Sequence, residues 1–381
     1  MTAVVVVIVV VVGVAVGYEE HWLGGSSSTK AGTCSTGVTL LGNGAQFVNP
    51  LVQQWASSYQ AATSNLVNYV DAGSGTGITD FSEHPPLIDF AITDDPLSSS
   101  EVSGLPSTAL TLPVSAGALA IIYNLPGVSG HLNLTGPILA DIYSGTITNW
   151  DDSTIQADNP GVSLPSATIV TIHRSDAAGT TFVLTNLLSD DSSAWAAGPG
   201  EGISISWPSA PDQLAEKGNA LVLSTVQSTA DSIGYSDLTD VLTASTATQY
   251  AAIQNPAGNF IVPTLADSAS AIADKATSTT FPASGGNWYS ISMVNAQGVG
   301  DYPLATFAYL FVYQNVSAGY EPTLTKAQVL VQWLDWVVTT GQTYSNAPNL
   351  YYVALPAAVV AVDQAGIQTM TFNGATIPAC T

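Results

Sequence analysis

Short runs of β-branched and aromatic residues alternate with helix-like stretches along most of this 381-residue chain. The strand-like runs occupy residues 38–41, 66–70, 89–92, 118–123 and 168–172. Residues 49–61 instead predict a helix, because their large apolar residues recur at the helical period. This stripe consists of Leu51, Val52, Trp55 and Tyr59. Strand, polar loop and helix repeat in this order, which predicts an α/β fold with mostly parallel or mixed sheets.

The acidic balance of the chain excludes one class of partner. Five lysine and arginine residues stand against 28 aspartate and glutamate residues, which gives a formal net charge of -23. Binding to a nucleic-acid backbone needs several cationic contacts, so we exclude nucleic acid as a partner. A hydrophobic fraction of 46% over this length predicts a large core, divided between two compact units.

The two cysteines, Cys34 and Cys380, enclose nearly all of the region that we expect to fold. An oxidised pair would tie the two ends of a domain together, so the pattern favours a disulfide and an extracytoplasmic location. Two separate thiols are the alternative. Acceptor patterns for N-glycosylation at Asn133 and Asn315 agree with the same location.

Residues 2–18 form an apolar run that no lysine or arginine precedes. Together with the residues around it, this run predicts a membrane anchor over residues 1–23. A cleaved signal segment and a pilin-like helix that packs into a filament are the alternatives. Residues 24–37, rich in glycine and serine, are expected to form a flexible linker.

Arg174 is the only arginine of the sequence, and it directly follows a strand-like run. In a chain that repels anions at long range, one permanent cation beside a glycine- and threonine-rich helix start at residues 179–181 indicates an oxyanion site. Asp176 lies two residues further on, where it can pair with the guanidinium and fix its orientation. A purely structural ion pair is the alternative.

Two more segments suggest anion chemistry. Residues 73–77, Gly-Ser-Gly-Thr-Gly, would let the backbone approach an anion, although a plain strand-to-helix turn is the alternative. A carboxylate at Asp94 accepts hydrogen bonds only, so it would favour hydrogen phosphate over fully ionised sulfate. Capping of a following helix is the alternative for this segment, and Asp95 is better suited to it.

Nine segments occur in the order seen in the phosphate-binding proteins of ABC phosphate transporters, which this chain resembles. They are residues 41–55, 72–78, 89–97, 112–120, 132–136, 140–150, 173–182, 217–219 and 232–235. Together they extend over roughly residues 38–355. The resemblance implies a two-lobed periplasmic-binding-protein fold of the Venus-flytrap type, which an N-terminal apolar helix would precede here.

The same resemblance implies a division into lobes. Residues 38–112 and 303–381 would form the first lobe, and residues 113–302 would form the second. The chain would cross between them near Leu112-Pro113 and near Tyr302-Pro303. This arrangement agrees with a disulfide that joins the two ends of the folded region.

The phosphate ligands implied by the resemblance belong to both lobes. They are Gln46, Phe47 (through its backbone N–H), Ser74, Asp94, Arg174, Ala178, Gly179 and Thr180, with Asp176 orienting the arginine. Gln46 and Ala178 depart from the family pattern, which usually has a hydroxyl residue at each place. Each departure removes a neutral hydrogen bond worth roughly 0.5–1.5 kcal/mol, so we expect weaker binding without loss of the site.

The resemblance finally implies a function. The protein would bind inorganic phosphate outside the cytoplasm for an ABC permease, without a cofactor, a metal ion or an enzymatic activity. Its four histidines show no metal-ligand spacing, and neither a nucleophile elbow nor a Walker lysine appears. The alternative is a subunit of a cell-surface filament that reuses this fold, with residues 2–18 packing against other copies instead of entering a membrane.

Overall fold

The computed structural model describes residues 35–380. Within them the strands are β1 Thr39–Gly44, β2 Leu66–Val70, β3 Phe90–Thr93, β4 Ala109–Asn124, β5 Asn133–Leu134, β6 Val170–Arg174, β7 Asp212–Glu216, β8 Ser232–Asp237, β9 Gln249–Tyr250, β10 Ala252–Gln254, β11 Phe260–Ile261, β12 Ala305–Tyr313, β13 Thr371–Phe372 and β14 Ala375–Thr376. The helices are α1 Asn49–Thr63, α2 Ser74–Ser82, α3 Ser99–Ser103, α4 Gly136–Tyr143, α5 Ser153–Asp158, α6 Gly179–Asp191, α7 Ser193–Ala197, α8 Asn219–Ser228, α9 Leu238–Thr243, α10 Leu265–Ser278, α11 Leu324–Val338 and α12 Ala357–Gln368. Short 3-10 turns cover Trp288–Ser290, Val316–Ala318 and Thr340–Tyr344.

One large sheet runs through the described part of the chain. Its strands lie in the order β2-β1-β3-β12-β4-β8-β6-β7, and β9 pairs with β4. Strand β1 is parallel to β2 and β3, and β6 is parallel to β7 and β8. Strand β12 is antiparallel to β3 and β4, and β4 is antiparallel to β8. The predicted α/β class with a mixed sheet is confirmed.

Helix α1 follows its sequence pattern closely. Pro50 lies in its first turn, where the missing N–H would have had no helical acceptor. Its buried residues are Leu51, Val52, Trp55 and Tyr59, which form the predicted stripe. The helix ends before Ser64, whose left-handed conformation (φ 61°) stops the helical path. The predicted helix is confirmed, and it runs two residues beyond the predicted end.

The sheet carries separate hydrophobic cores in its two halves. Helices α1, α2, α11 and α12 pack around the β1, β3 and β12 end, with Trp55 and Phe307 among the buried residues. We call this part the first lobe. Helices α4, α6 and α8 pack around the β8 and β6 end, with Trp150 and Leu184 among the buried residues. We call this part the second lobe.

Strand β4 carries the chain from the first lobe to the second. Its buried residues change from one core to the other at Gly117. A side chain there would collide with Phe47, since an added Cβ would lie 2.6 Å from the Cζ atom of that ring. The buried residues last change back between Leu304 of the second-lobe core and Ala305 of the first-lobe core, immediately before β12. The division into lobes that the resemblance implies stays a prediction.

Helix α10 packs differently from the lobe assignment made from the sequence, which placed residues 113–302 in the second lobe. Ile272 of α10 and the following Trp288 belong to the same buried cluster as Phe307 of the first lobe. The rings of Trp288 and Tyr309 meet edge to face with centroids 6.1 Å apart. Burial of this large aromatic side chain against β12 accounts for the difference.

Three expectations concern residues outside the described part of the chain. They are the apolar helix of residues 1–23, the part of the predicted linker (residues 24–37) that precedes residue 35, and Cys34. The disulfide between Cys34 and Cys380 therefore stays a prediction. Among residues 35–380, every helix is too short or too polar to cross a bilayer.

Candidate functional site

Arg174 ends strand β6 and is buried, with 3% of its surface exposed. Its Nε and Nη2 atoms donate to the two carboxylate oxygens of Asp176 at 2.7 and 2.6 Å. Burial alone would raise the pKa of Asp176, but the hydrogen bonds and the charge of Arg174 outweigh burial and lower that pKa. This bidentate pair fixes the plane of the guanidinium.

The remaining guanidinium nitrogen, Nη1, is also held. It donates to the side-chain oxygen of Asn219 and lies 3.3 Å from Oγ1 of Thr180. Behind it, the hydroxyl of Tyr235 accepts the backbone N–H of Arg174 at 3.0 Å. Because a guanidinium has five N–H groups, one on Nη2 remains available to a ligand.

Helix α6 begins at Gly179, as predicted. The first amides of a helix lack acceptors within it, and together with the helix dipole they favour an anion. The N–H of Gly179 donates to Oγ of Ser74 at 3.0 Å. The N–H of Ala178 instead donates to the carbonyl of Ile203 at 2.9 Å. Since a backbone amide has one hydrogen to donate, the Ala178 amide that sequence reasoning offered to phosphate is already used.

The first lobe meets this helix start through α2. Ser74 is the first residue of α2 and is 1% exposed, and Gly73 before it has a φ of 101° that favours glycine. The N–H of Gly75 donates to the carbonyl of Ala177 in the second lobe at 3.2 Å. Residues 74–77 therefore start a helix, and two hydrogen bonds at this start join the lobes.

Asp94 follows β3 and packs directly on the start of α6. It is 2% exposed, and a Cβ added to Gly179 would lie 2.6 Å from its Oδ2 atom. Its Oδ1 atom has no hydrogen-bond partner within residues 35–380. Burial raises the pKa of Asp94 to about 7, although the charge of Arg174 opposes the shift. The following helix α3 is capped by Ser98, so the capping role considered for Asp95 is wrong.

Gln46 and Phe47 follow strand β1. The side-chain oxygen of Gln46 accepts the backbone N–H of Asn219 at 2.8 Å, across the gap between the lobes. The carbonyl of Phe47 accepts the hydroxyl of Tyr352 at 2.7 Å, and the two rings meet edge to face. Gln46 thus joins the lobes as Ser74 does, whereas Phe47 is held within the first lobe.

A third helix start belongs to the site, and sequence reasoning gave it no role. Asn219 opens α8, is 1% exposed, and donates from Nδ2 to Oδ2 of Asp237 at 2.5 Å. Gly218 before it has a φ of 88° and donates its N–H to Asp176 at 3.2 Å. The signal was available in the sequence, because residues 216–219 repeat the strand, glycine and helix order seen at residues 70–74.

His173 lies next to the arginine and packs at the end of β6. Its ring stacks on Trp207 with centroids 4.5 Å apart, and its Nδ1 atom lies 2.9 Å from the carbonyl oxygen of Arg174. Burial lowers the pKa of His173, so the ring is neutral at neutral pH. These contacts show a packing role for His173 at the end of β6.

Together these groups form a small polar site between the lobes. One cation, balanced by Asp176, lies among the starts of α2, α6 and α8, and Asp94 faces them from the first lobe. Amides, hydroxyls and the guanidinium donate hydrogen bonds, while the carboxylate of Asp94 accepts them. Such a set suits an oxyanion that still carries a proton.

Comparison with known proteins identifies the family. A sequence model described as a PBP superfamily domain matches residues 26–340. The chain is 35% identical over 331 residues to the phosphate-binding protein PstS of Xylella fastidiosa, which covers 85% of this chain and 83% of that protein. The chain belongs to the family of PstS phosphate-binding proteins.

Solved structures agree on the fold of this PstS family member. A structure described as a human phosphate binding apolipoprotein has a TM-score of 0.67 at 19% identity, and covers 89% of this chain and 100% of that one. An ABC-type phosphate transport receptor from Vibrio cholerae has a TM-score of 0.52 at 16% identity, and covers 83% of this chain and 100% of that one. At these identities the likeness concerns the fold alone, and it confirms the α/β periplasmic-binding-protein fold.

Proposed function

We propose that the protein binds hydrogen phosphate between its lobes, with Ser74, Asp94, Arg174 and Thr180 as the principal ligands; the N–H of Gly179 would exchange its acceptor, Oγ of Ser74, for the anion. The observation that carries the proposal is the carboxylate of Asp94. It is buried against the start of α6, and its Oδ1 atom has no partner among the described residues. The helix dipole and Arg174 attract an anion there, and that anion has to bring a proton for the carboxylate.

The proton distinguishes phosphate from sulfate. Hydrogen phosphate brings its own proton, so an ionised Asp94 can accept a hydrogen bond from it. Sulfate has no proton at neutral pH and would lie against a bare carboxylate, and like charges in contact cost several kcal/mol. Only a protonated Asp94 removes this penalty. The site therefore favours phosphate over sulfate at alkaline pH, where Asp94 is ionised.

The proposal extends to a role in uptake. The chain would act outside the cytoplasm as the substrate-binding component of a phosphate uptake system, and would pass phosphate to an ABC permease without catalysing a reaction. The names of the relative and of the transport receptor given above support this role. Attachment to a membrane through residues 2–18, and the alternative of a filament, concern residues outside the described part and stay predictions.

Titration calorimetry with phosphate and sulfate tests the proposed function. At pH 8 we expect heat on phosphate addition and sulfate binding at least about 100-fold weaker, since the penalty is several kcal/mol. Asp94 has a pKa of about 7, so lowering the pH to 5.5 protonates it and should narrow the difference. The Asp94→Asn variant should show a small difference at both pH values.

Two results would contradict the proposal. One is the absence of heat with phosphate for a protein whose thermal unfolding is cooperative. The other is equal binding of phosphate and sulfate at pH 8. Asp151→Asn is a suitable control, because Asp151 is exposed on the second lobe and its replacement should leave both titrations unchanged.

Gly179→Ala is expected to weaken phosphate binding by about 10-fold or more, because overpacking of a tight contact costs roughly 1–3 kcal/mol. An alanine Cβ would lie 2.6 Å from the Cβ of Asp94, so the lobes could not reach this contact. Calorimetry measures the loss, and small-angle scattering measures the separation of the lobes.

Gly300→Ala is the matched control, since an added Cβ there meets open space. We expect it to bind phosphate as the wild type does. Alanine is compatible with the first position of a helix, so the Gly179→Ala variant should also keep its thermal stability. Unchanged affinity in the Gly179→Ala variant would show that the contact with Asp94 is not needed for binding.

A further inference from the structure

Asn219 contacts several groups of the site, although sequence reasoning gave it no role. It has 1% of its surface exposed and opens helix α8. Its side-chain oxygen accepts from Nη1 of Arg174 and from Oγ1 of Thr180, the latter at 3.2 Å. Two of the proposed phosphate ligands are therefore bound to one buried amide.

The orientation of this amide is fixed from behind. Nδ2 of Asn219 donates to Oδ2 of Asp237 at 2.5 Å, and Asp237 is 1% exposed. If the amide were turned over, its NH2 group would face the guanidinium. Two donor groups would then be in contact, so the amide oxygen points at Arg174.

Asp237 lies among several charges. Burial raises the pKa of Asp237 well above its ordinary value; Asp240 and Asp94 raise it further, while Asn219 and Arg174 lower it. Its Oδ1 atom has no hydrogen-bond partner within residues 35–380. Among the described residues, the side-chain amide of Asn219 thus provides the hydrogen bond that this buried carboxyl group accepts.

The backbone of Asn219 reaches the other lobe. Its N–H donates to the side-chain oxygen of Gln46 at 2.8 Å. Gln46 stands where the family usually has a hydroxyl residue, and here its oxygen binds a second-lobe amide. One residue therefore links the first lobe to the guanidinium of Arg174.

We propose that Asn219 is a positioning residue, held by Asp237, that fixes the Nη1 group of Arg174 and couples its orientation to closure of the lobes through Gln46. The proposal rests on the proposed function only in so far as the ligand is phosphate. Asp176 holds one edge of the guanidinium and Asn219 holds the opposite nitrogen. A planar group fixed on two sides presents its remaining N–H in one direction.

The first test replaces Asn219 by alanine, which removes the side-chain hydrogen bonds and keeps the backbone N–H to Gln46. We expect phosphate affinity to fall about 10- to 100-fold, the range for loss of a hydrogen bond to a charged group. Asn49→Ala is the matched control, because Asn49 also opens a helix and its side chain binds Asp71 instead. The control should bind phosphate as the wild type does.

The second test observes the guanidinium group of Arg174 directly. Arg174 is the only arginine of the chain, so it gives the only guanidinium signals in a proton–nitrogen correlation spectrum. In the wild type we expect separate Nη1 and Nη2 signals, because hydrogen bonds slow rotation of both groups. In Asn219→Ala the Nη1 protons should average to one signal while those of Nη2 stay resolved. This spectrum needs no phosphate, so it tests the positioning even if phosphate binding fails.

The third test exchanges the two partners, in case the alanine variant does not fold. Asn219→Asp alone sets a second carboxylate against Asp237 and should weaken binding. Combined with Asp237→Asn, it restores one donor and one acceptor in reversed order and keeps an acceptor for Arg174. We expect the double variant to recover affinity to within a few-fold of the wild type.

Two outcomes would overturn the proposal. One is Asn219→Ala with phosphate affinity within about twofold of the wild type and an unchanged arginine spectrum. The other is a double variant that folds and binds no better than Asn219→Asp alone. A wild type that gives the expected arginine spectrum but no heat with phosphate would instead contradict the proposed function and leave the positioning role supported.

Discussion

Arg174→Ala is expected to weaken phosphate binding by roughly 100-fold or more, because it removes the buried positive charge and a charge-assisted hydrogen bond worth about 1.5–3 kcal/mol. Arg174 is the only arginine of the chain, and its buried fork adjoins Thr180. Within residues 35–380, the side chains of Lys275 and Lys326 bind the carbonyl of Ser292 and Asp89, and Lys217, beside the start of α8, is exposed. Arg174 is therefore the only buried cation seen at the site among these residues. Calorimetry with phosphate at pH 7 and 8 measures the effect.

The controls separate loss of the ligand contact from loss of structure. Arg174→Ala also leaves Asp176 without its bidentate partner, so thermal unfolding of the variant has to be measured beside binding. Arg174→Lys keeps the charge without the fork, and we expect intermediate affinity because one ammonium cannot bind Asp176 and Asn219 in the same way. Lys275→Gln changes the net charge equally and should bind normally. Phosphate affinity within tenfold of the wild type for Arg174→Ala would contradict the assigned site.

Without phosphate, the protein is expected to unfold at a temperature about 5–10 °C higher at pH 4.5 than at pH 8. The reason is a group of buried carboxyl groups whose pKa burial raises. They are Asp94, Asp95, Asp237 and Asp363. Each is at most 3% exposed, and each has a carboxylate oxygen without a partner among the described residues. Scanning calorimetry across this pH range measures the trend.

The direction follows from the protons bound in each state. Above the ordinary carboxyl pKa of 3.8 the unfolded chain has lost these protons, whereas the folded protein keeps them up to the raised values. Folding therefore takes up protons in this window, so stability rises as the pH falls from about 8 towards 4. For Asp94, with a folded pKa of about 7, the change is about 4 kcal/mol. The lowered pKa of Asp176 acts oppositely, and its contribution is lost only below about pH 4.

Asp363 offers a variant away from the phosphate site. It lies in α12, is 0% exposed, and neither of its carboxylate oxygens has a partner among the described residues. Asp363→Asn removes the titration, so we expect higher stability at pH 8, a shallower pH dependence and normal phosphate binding. Asp151→Asn, at an exposed position, should keep the wild-type slope. Stability that is flat or falls from pH 8 to pH 4.5 would contradict the predicted effect of the buried carboxyl groups.

The elements that sequence reasoning predicted well depend on local pattern. The buried stripe of α1 and the strand at residues 66–70 agree with the prediction, because the spacing of their apolar residues indicates which side is buried. The pair of Arg174 and Asp176 was also predictable. The two residues carry opposite charges and lie two positions apart, and the chain has one arginine. Few other charged residues nearby could pair with either of them.

The contacts that sequence reasoning missed join distant parts of the chain. Gln46 and Asn219 are 173 residues apart, and their hydrogen bond depends on how two lobes meet. Sequence reasoning predicts that the backbone amide of Ala178 binds the ligand, because an alanine side chain has no hydrogen-bond donor. Only the path of the loop shows that Ile203 takes this donor. The packing of α10 against β12 likewise depends on three-dimensional proximity that periodicity does not encode.

The contacts of Gly75 with Ala177, of Ser74 with Gly179 and of Gln46 with Asn219 close both lobes over the site. An ion bound between the lobes would leave when these contacts break. Its residence time is then set by how often the lobes separate. A stronger ligand contact lengthens the residence time by making this separation rarer. A transport partner would need no group that competes for the ion, since holding the lobes apart is enough to release it.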